Sequence, residues 1–172
     1  MIEKYTFQLC SERIQQKKKM VFVKSSSETQ GHVILKLLGY MLFYHPDLRV
    51  EAKVGMHYKP DLALDGDGGV PSLWIDCGYI ALKKAEKLAH QLKRTRFVII
   101  KKTNREIENF KKLVDKRFED STVEYLAFEP AFVDRLAGAL RRINEVTIYP
   151  VMDNAIGVVF NEELFESQVF RL

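Results

Sequence analysis

The sequence predicts a mixed α/β (α+β) fold in one domain, residues 1–172, with an α-β-β-β-α-β core and terminal β-hairpins forming a side sheet. Three observations predict it. An amphipathic stretch, "IALKKAEKLAHQLKR", separates two short apolar runs, "SLWIDCGY" (72–79) and "RFVIIKK" (96–102). A strand, a helix of that length and a second strand make a crossover, so the two strands are expected to be parallel. "DGDGG" separates "KPDLALDG" (59–66) from "SLWIDCGY", and Asp-Gly and Gly-Gly supply the positive φ of a hairpin turn. Finally, 172 residues of 47% hydrophobic content suit one sizeable core.

The elements follow in order. Residues 4–11, "KYTFQLCS", alternate with period two, and "KMVFVK" (19–24) is a second β run, so the polar "ERIQQKK" between them reads as a hairpin connection. In "SSSETQGHVILKLLGYMLFYHP" a Ser cap, then Glu28 and Gln30, predicts a helix start with acidic charge in its first turn. Val33, Ile34, Leu37, Leu38, Met41 and Leu42 form a broad apolar stripe, and Pro46 ends it. "LRVEAKVG" (48–55) precedes the two β runs around "DGDGG" as a third strand. After the crossover, "NREIENFKKLVDKRF" reads as a capped helix, "TVEYLAFE" (122–129) as a strand, and "PAFVDRLAGALRRI" as a helix with Pro130 in its first turn. "EVTIYPVMD" (145–153) and "AIGVVFNE" (155–162) form a closing hairpin around Asp153-Asn154, and the last ten residues receive no assignment. The core is thus placed at about 26–129 and the hairpins at 4–24 and 145–162.

Composition narrows the function. No apolar run reaches the ~18 residues of a membrane span, and "MIEKYTFQLC" does not read as a signal peptide, so no membrane is expected and the cytoplasm is the expected location. Cys10 and Cys77 give neither a disulfide framework nor a CxxC metal pair, and both lie in apolar β runs where a buried, inert thiol is expected. A net charge of +4 permits an acidic partner such as DNA or RNA without establishing one. "DGDGG" lacks the ligand at position five and the glutamate at position twelve of an EF-hand, so it is read as a turn.

Two aspartates stand out. Asp61 follows Pro60 at the start of one β run, and Asp76 sits within "LWIDCG" of the next. By alternation Asp61 shares a face with Ala63, and Asp76 with Trp74 and Gly78. A buried carboxylate among Leu, Trp and Ile is costly unless paired or holding a cation. Carboxylates on strands ~4.8 Å apart can meet at one ion. Oxygen ligands favour Mg²⁺ or Mn²⁺, making Asp61 and Asp76 the expected metal ligands.

"SETQ" (27–30), "KPDL" (59–62), "LWIDCG" (73–78) and "KKAEK" (83–87), in this order, resemble the YaeQ family, a divergent branch of the PD-(D/E)XK nuclease superfamily. The resemblance covers nearly the whole chain. It implies a restriction-endonuclease-like core and roles for Asp61 and Asp76 as Mg²⁺-binding catalytic acids. Glu28 would be an accessory acid; read from its own position, it is equally a capping-box glutamate. The superfamily's lysine, two residues after the second acid, is replaced here by Gly78, as it generally is in the YaeQ family. Some superfamily branches draw a basic residue from the following helix, which makes Lys83, Lys84 and Lys87 the candidates; a solvated helix face is the alternative for each. Tyr79 stands where many relatives carry Gln. His57 is read as a loop residue within reach of the site or an ordinary surface histidine, and Trp74 as core packing rather than a stacking platform.

Two functions are compatible with these residues. One is Mg²⁺-dependent phosphodiester hydrolysis of nucleic acid. The other is a catalytically inactive nuclease-like fold that binds nucleic acid or a protein, with the resemblance pointing to transcription.

Overall fold

The computed structural model describes residues 1–119 and 122–172. Strands β1 (Glu3–Cys10) and β2 (Lys18–Lys24) form the N-terminal hairpin, with Glu3 opposite Lys24. Helix α1 (Gln30–Leu42) follows, then β3 (Arg49–Val50), β4 (Leu62–Leu64), β5 (Leu73–Cys77), α2 (Leu82–Gln91) and β6 (Arg96–Thr103). This is the expected α-β-β-β-α-β order. β3, β4 and β5 pair antiparallel and β5 pairs parallel with β6, as the turn and the crossover require. Helix α3 (Asn104–Arg117), β7 (Val123–Phe128), α4 (Phe132–Gly138), β8 (Ile143–Met152), β9 (Ala155–Phe160) and β10 (Glu163–Arg171) complete the chain.

The terminal hairpins do not stand apart as a side sheet. Among the described residues, the strands join in one ten-stranded sheet, in the order β2-β1-β8-β9-β10-β7-β6-β5-β4-β3. The link is β10, in the stretch left unassigned from sequence, which pairs with β9 on one side and β7 on the other. Its inward residues Phe165, Ser167 and Val169 alternate with period two. The β9–β10 turn is Asn161-Glu162, both at positive φ, without the glycine that marks such turns in a sequence. The turn at Asp153-Asn154, also at positive φ, lies where it is expected.

Several boundaries differ, each for a local reason. The strand expected over 48–55 stops at Val50, because Glu51 takes φ 51°. The last helix begins at Phe132 rather than Pro130, because Ala131 sits in the left-handed region at φ 67°. The cap of α1 is Thr29, whose Oγ1 accepts the His32 N–H, so the first turn carries no acid and Glu28 lies outside the helix.

The sheet separates two cores. One joins α1 and α4 to Leu62, Ile75, Cys77, Val98 and Ile100 and to the inner faces of β1, β2, β8, β9 and β10. The other joins α2 and α3 to Trp74, Phe97, Ile99 and Tyr125. Helix α1 is enclosed so fully that, from Gly31 to Met41, every residue except His32 is buried. Gly39 is the point of closest approach: a Cβ there would come 3.0 Å from both Leu62 and Ile100 side chains. Lys36 is the one charged side chain within that buried span, and its partners define the site.

Candidate functional site

The site lies where β4 begins and β5 ends. Extending the pairing of Leu62 with Ile75 by one residue sets Asp61 opposite Asp76. Their carboxylates nevertheless part company. Asp76 follows Trp74 onto the α2–α3 side, where it is 4% exposed. Its Oδ2 accepts the Trp74 indole N–H at 3.2 Å, and Lys84 Nζ reaches both carboxylate oxygens at 3.0–3.1 Å. Asp61, one residue ahead of β4, turns its carboxylate over the end of the sheet. There Oδ2 accepts the Cys77 N–H at 2.7 Å and Oδ1 meets His32 Nε2 at 2.9 Å, on the α1 side. Each acid therefore has its own partners, and the expected single shared face is only partly realised. Among the described residues, no group of three or more His, Cys, Asp and Glu side chains is arranged to hold a metal ion.

Electrostatics separate the two acids. Burial pushes the Asp76 carboxyl above its ordinary range; Lys84 opposes the shift and the Asp61 charge adds to it. Burial, reinforced by Asp61 and Asp76, likewise pushes the Cys77 thiol well up, which matches the inert thiol expected there.

Beside Asp61 lies an ion triad in which Lys36 is fully buried and its two carboxylate partners are partly exposed. Lys36 Nζ donates to Glu28 Oε1 at 2.9 Å and to Glu51 Oε1. Glu28 Oε2 accepts the Ser25 N–H at 2.7 Å, and its Oε1 lies 3.5 Å from His32 Nε2. Burial opposes ionisation of Glu28, but the Ser25 N–H and the Lys36 ammonium outweigh it and hold the carboxyl at about 2. Glu28 is thus neither a helix-capping nor a solvent-facing residue; it faces the α1 side of the site. Glu51, at positive φ, is anchored by Lys36 and by its N–H to Asp61 O at 2.8 Å.

Lys101 of β6 packs on the other side. Its Nζ donates to Gly78 O at 2.6 Å and lies 4.4 Å from the Phe110 ring centroid. Burial pushes its ammonium down, with Glu106 and Asp76 opposing. Gly78 itself takes φ 74°, and a Cβ there would sit 3.3 Å from His32 Nδ1. A lysine at this position would be both strained and crowded, which is a local reason for the glycine.

Of the residues singled out in the sequence, the structure gathers Glu28, Asp61, Asp76 and Lys84 at this end of the sheet. Lys83 and Lys87 are exposed and make none of these contacts; only Lys84 reaches Asp76. His57 is exposed and stacks edge-on with Tyr58 instead. Trp74 is fully buried, as expected of core packing, and it also hydrogen-bonds Asp76. His32, Lys36, Glu51 and Lys101 were not anticipated. Lys36 carried a signal: a lysine amid "VILKLLG" must find counter-charges if that helix is buried all round.

A mixed α/β fold built on one large sheet defines the class of the molecule. The profile of the YaeQ protein family matches residues 8–169, and the chain belongs to that family. Its fold is similar to the crystal structure of YaeQ from Xanthomonas axonopodis pv. citri, with TM-score 0.75 at 17% identity over 99% of this chain and 96% of that one. It is similar also to YaeQ from Pseudomonas syringae, with TM-score 0.76 at 18% identity over 100% and 95% of the two chains. No curated protein matches the sequence. Among the described residues, no helix is long and apolar enough to cross a membrane.

Proposed function

We propose that the end of β5 is a divalent-cation site for phosphodiester hydrolysis of nucleic acid, on a restriction-endonuclease-like core. The observation that carries this reading is Asp76: a nearly buried carboxylate held by a lysine of the next helix, beside a second aspartate. Perturbed, partly compensated acids of this kind are typical of functional sites. The donor chemistry fits Mg²⁺ or Mn²⁺, since Asp61 and Asp76 offer oxygen ligands and Mg²⁺ keeps several of its own waters. A divalent ion there would supply charge neutralisation at a phosphate and activation of water. Asp61 and Asp76 would hold it, with His32 orienting Asp61. Lys84, displaced from Asp76, would turn its ammonium toward the phosphate and take the part of the lysine absent at Gly78. Glu28 and Glu51 would act at one remove, fixing the α1 side through Lys36.

A second reading has its own support. Both aspartates accept hydrogen bonds from protein donors, which suits a nuclease-like fold that binds nucleic acid or a protein without cleaving.

Melting with cations tests the first reading. At a concentration a hundredfold above Kd, an ion binding only the native state stabilises it by about 2.7 kcal/mol. For a chain of this size that raises Tm by roughly 5–10 °C. Asp61→Ala should abolish the rise with Mn²⁺ or Mg²⁺; an equal rise in both proteins would place the ion elsewhere. Cleavage of labelled DNA or RNA by wild type, lost in Asp61→Ala, separates the enzyme from the binding module. Nucleic-acid affinity itself should fall linearly on a log–log plot against salt, through counterion release. Absence of binding at low salt would remove nucleic acid from both readings.

A further inference from the structure

We propose that Tyr79 is a stacking platform for an unpaired nucleobase, so that the site takes single-stranded nucleic acid. Tyr79 is 90% exposed, although it lies between two anchored residues. On one side, Gly78 turns the chain outward at φ 74°, its N–H donates to Ile100 O at 2.8 Å, and its carbonyl accepts Lys101 Nζ at 2.6 Å. On the other, Ile80 is buried against the α2–α3 core. The aromatic ring is thus presented to solvent from a fixed turn. Packing does not hold it there.

Position and charge choose the occupant. Tyr79 lies three residues after Asp76 and three before Leu82, the first residue of α2, a helix whose Lys83 and Lys87 are exposed and whose Lys84 reaches Asp76. An exposed aromatic ring at the end of the strand that carries Asp76, leading into a lysine-bearing helix, suits a base with its phosphates nearby, and aromatic stacking accepts any base. The bases of a duplex are already stacked on one another and do not offer a free face. This inference rests on the reading of the site as one for nucleic acid, but not on cleavage.

Fluorescence anisotropy in EDTA at low salt tests it, with labelled oligothymidylate and a labelled duplex as probes. The expected result is that Tyr79→Ala weakens oligothymidylate binding about tenfold or more and leaves duplex binding unchanged. Tyr79→Trp should bind at least as well as wild type, and its emission should be quenched by the oligonucleotide, against the constant signal of buried Trp74. With Tyr79 so exposed, all three proteins should melt alike. Wild-type binding that Tyr79→Ala does not weaken would overturn the platform and leave the nucleic-acid reading standing. No wild-type binding to either probe would overturn both.

Discussion

Lys36→Met is expected to destabilise the protein by about 2–4 kcal/mol at neutral pH, the scale seen when one partner of a buried ion pair is removed. The lysine is fully buried and is the shared counter-charge of Glu28 and Glu51. Without it two carboxylates face each other, and Glu51 loses a contact that holds its positive φ. The effect carries a pH signature. The Glu28 carboxyl, held at about 2 in the native state, lies below its ordinary value near ~4.3. A depressed acid stabilises the fold above the ordinary value, and that contribution drains away as pH falls through the folded value. The difference between wild type and Lys36→Met should therefore be full at pH 7 and shrink as pH falls below about 4. Urea denaturation across that range measures it. A loss below about 1 kcal/mol at pH 7 would mean that Glu28 and Glu51 are as well served by water.

Asp76→Asn should act in the opposite direction. Burial raises the native carboxyl above its ordinary value, so ionising it costs the fold stability despite Lys84 and Trp74. The native state binds its proton more tightly than the unfolded chain. The penalty therefore develops as pH climbs from the ordinary value through the raised one, and is fully present above it. Asparagine removes the charge and keeps an acceptor for the indole N–H. The metal-free variant should be at least as stable as wild type, by roughly 1 kcal/mol at neutral pH, with the gain vanishing under acid conditions. Denaturation in EDTA measures this. Destabilisation of ~1–3 kcal/mol would show that Lys84 and the indole fully satisfy the carboxylate. Asp76 would then be a structural residue, and the case for a catalytic site would fall with it. The same substitution should abolish any metal-dependent cleavage, so a gain in stability with a loss of activity is the pattern expected of a site kept for function.

Much of this was legible in the residues. Period-two runs, an Asp-Gly turn and a helix of crossover length determine the meander and the parallel strand, because each rests on contacts within a few dozen residues. Asp61 and Asp76 were visible as chemistry out of place in apolar surroundings, and the basic start of α2 through the family resemblance. Tertiary structure decided the rest. Only the enclosure of α1 between the two halves of the sheet makes Lys36 a buried charge and brings Glu28, Glu51 and His32 to Asp61. Only the three-dimensional path of α2 selects Lys84 over Lys83 and Lys87, since all three share one short basic run. β10 joins what the sequence presents as separate hairpins, through a turn with no glycine to announce it. Periodicity and turn chemistry are local and can be read along the chain. Which charges meet is a property of side chains from distant segments, and the packed sheet alone settles it.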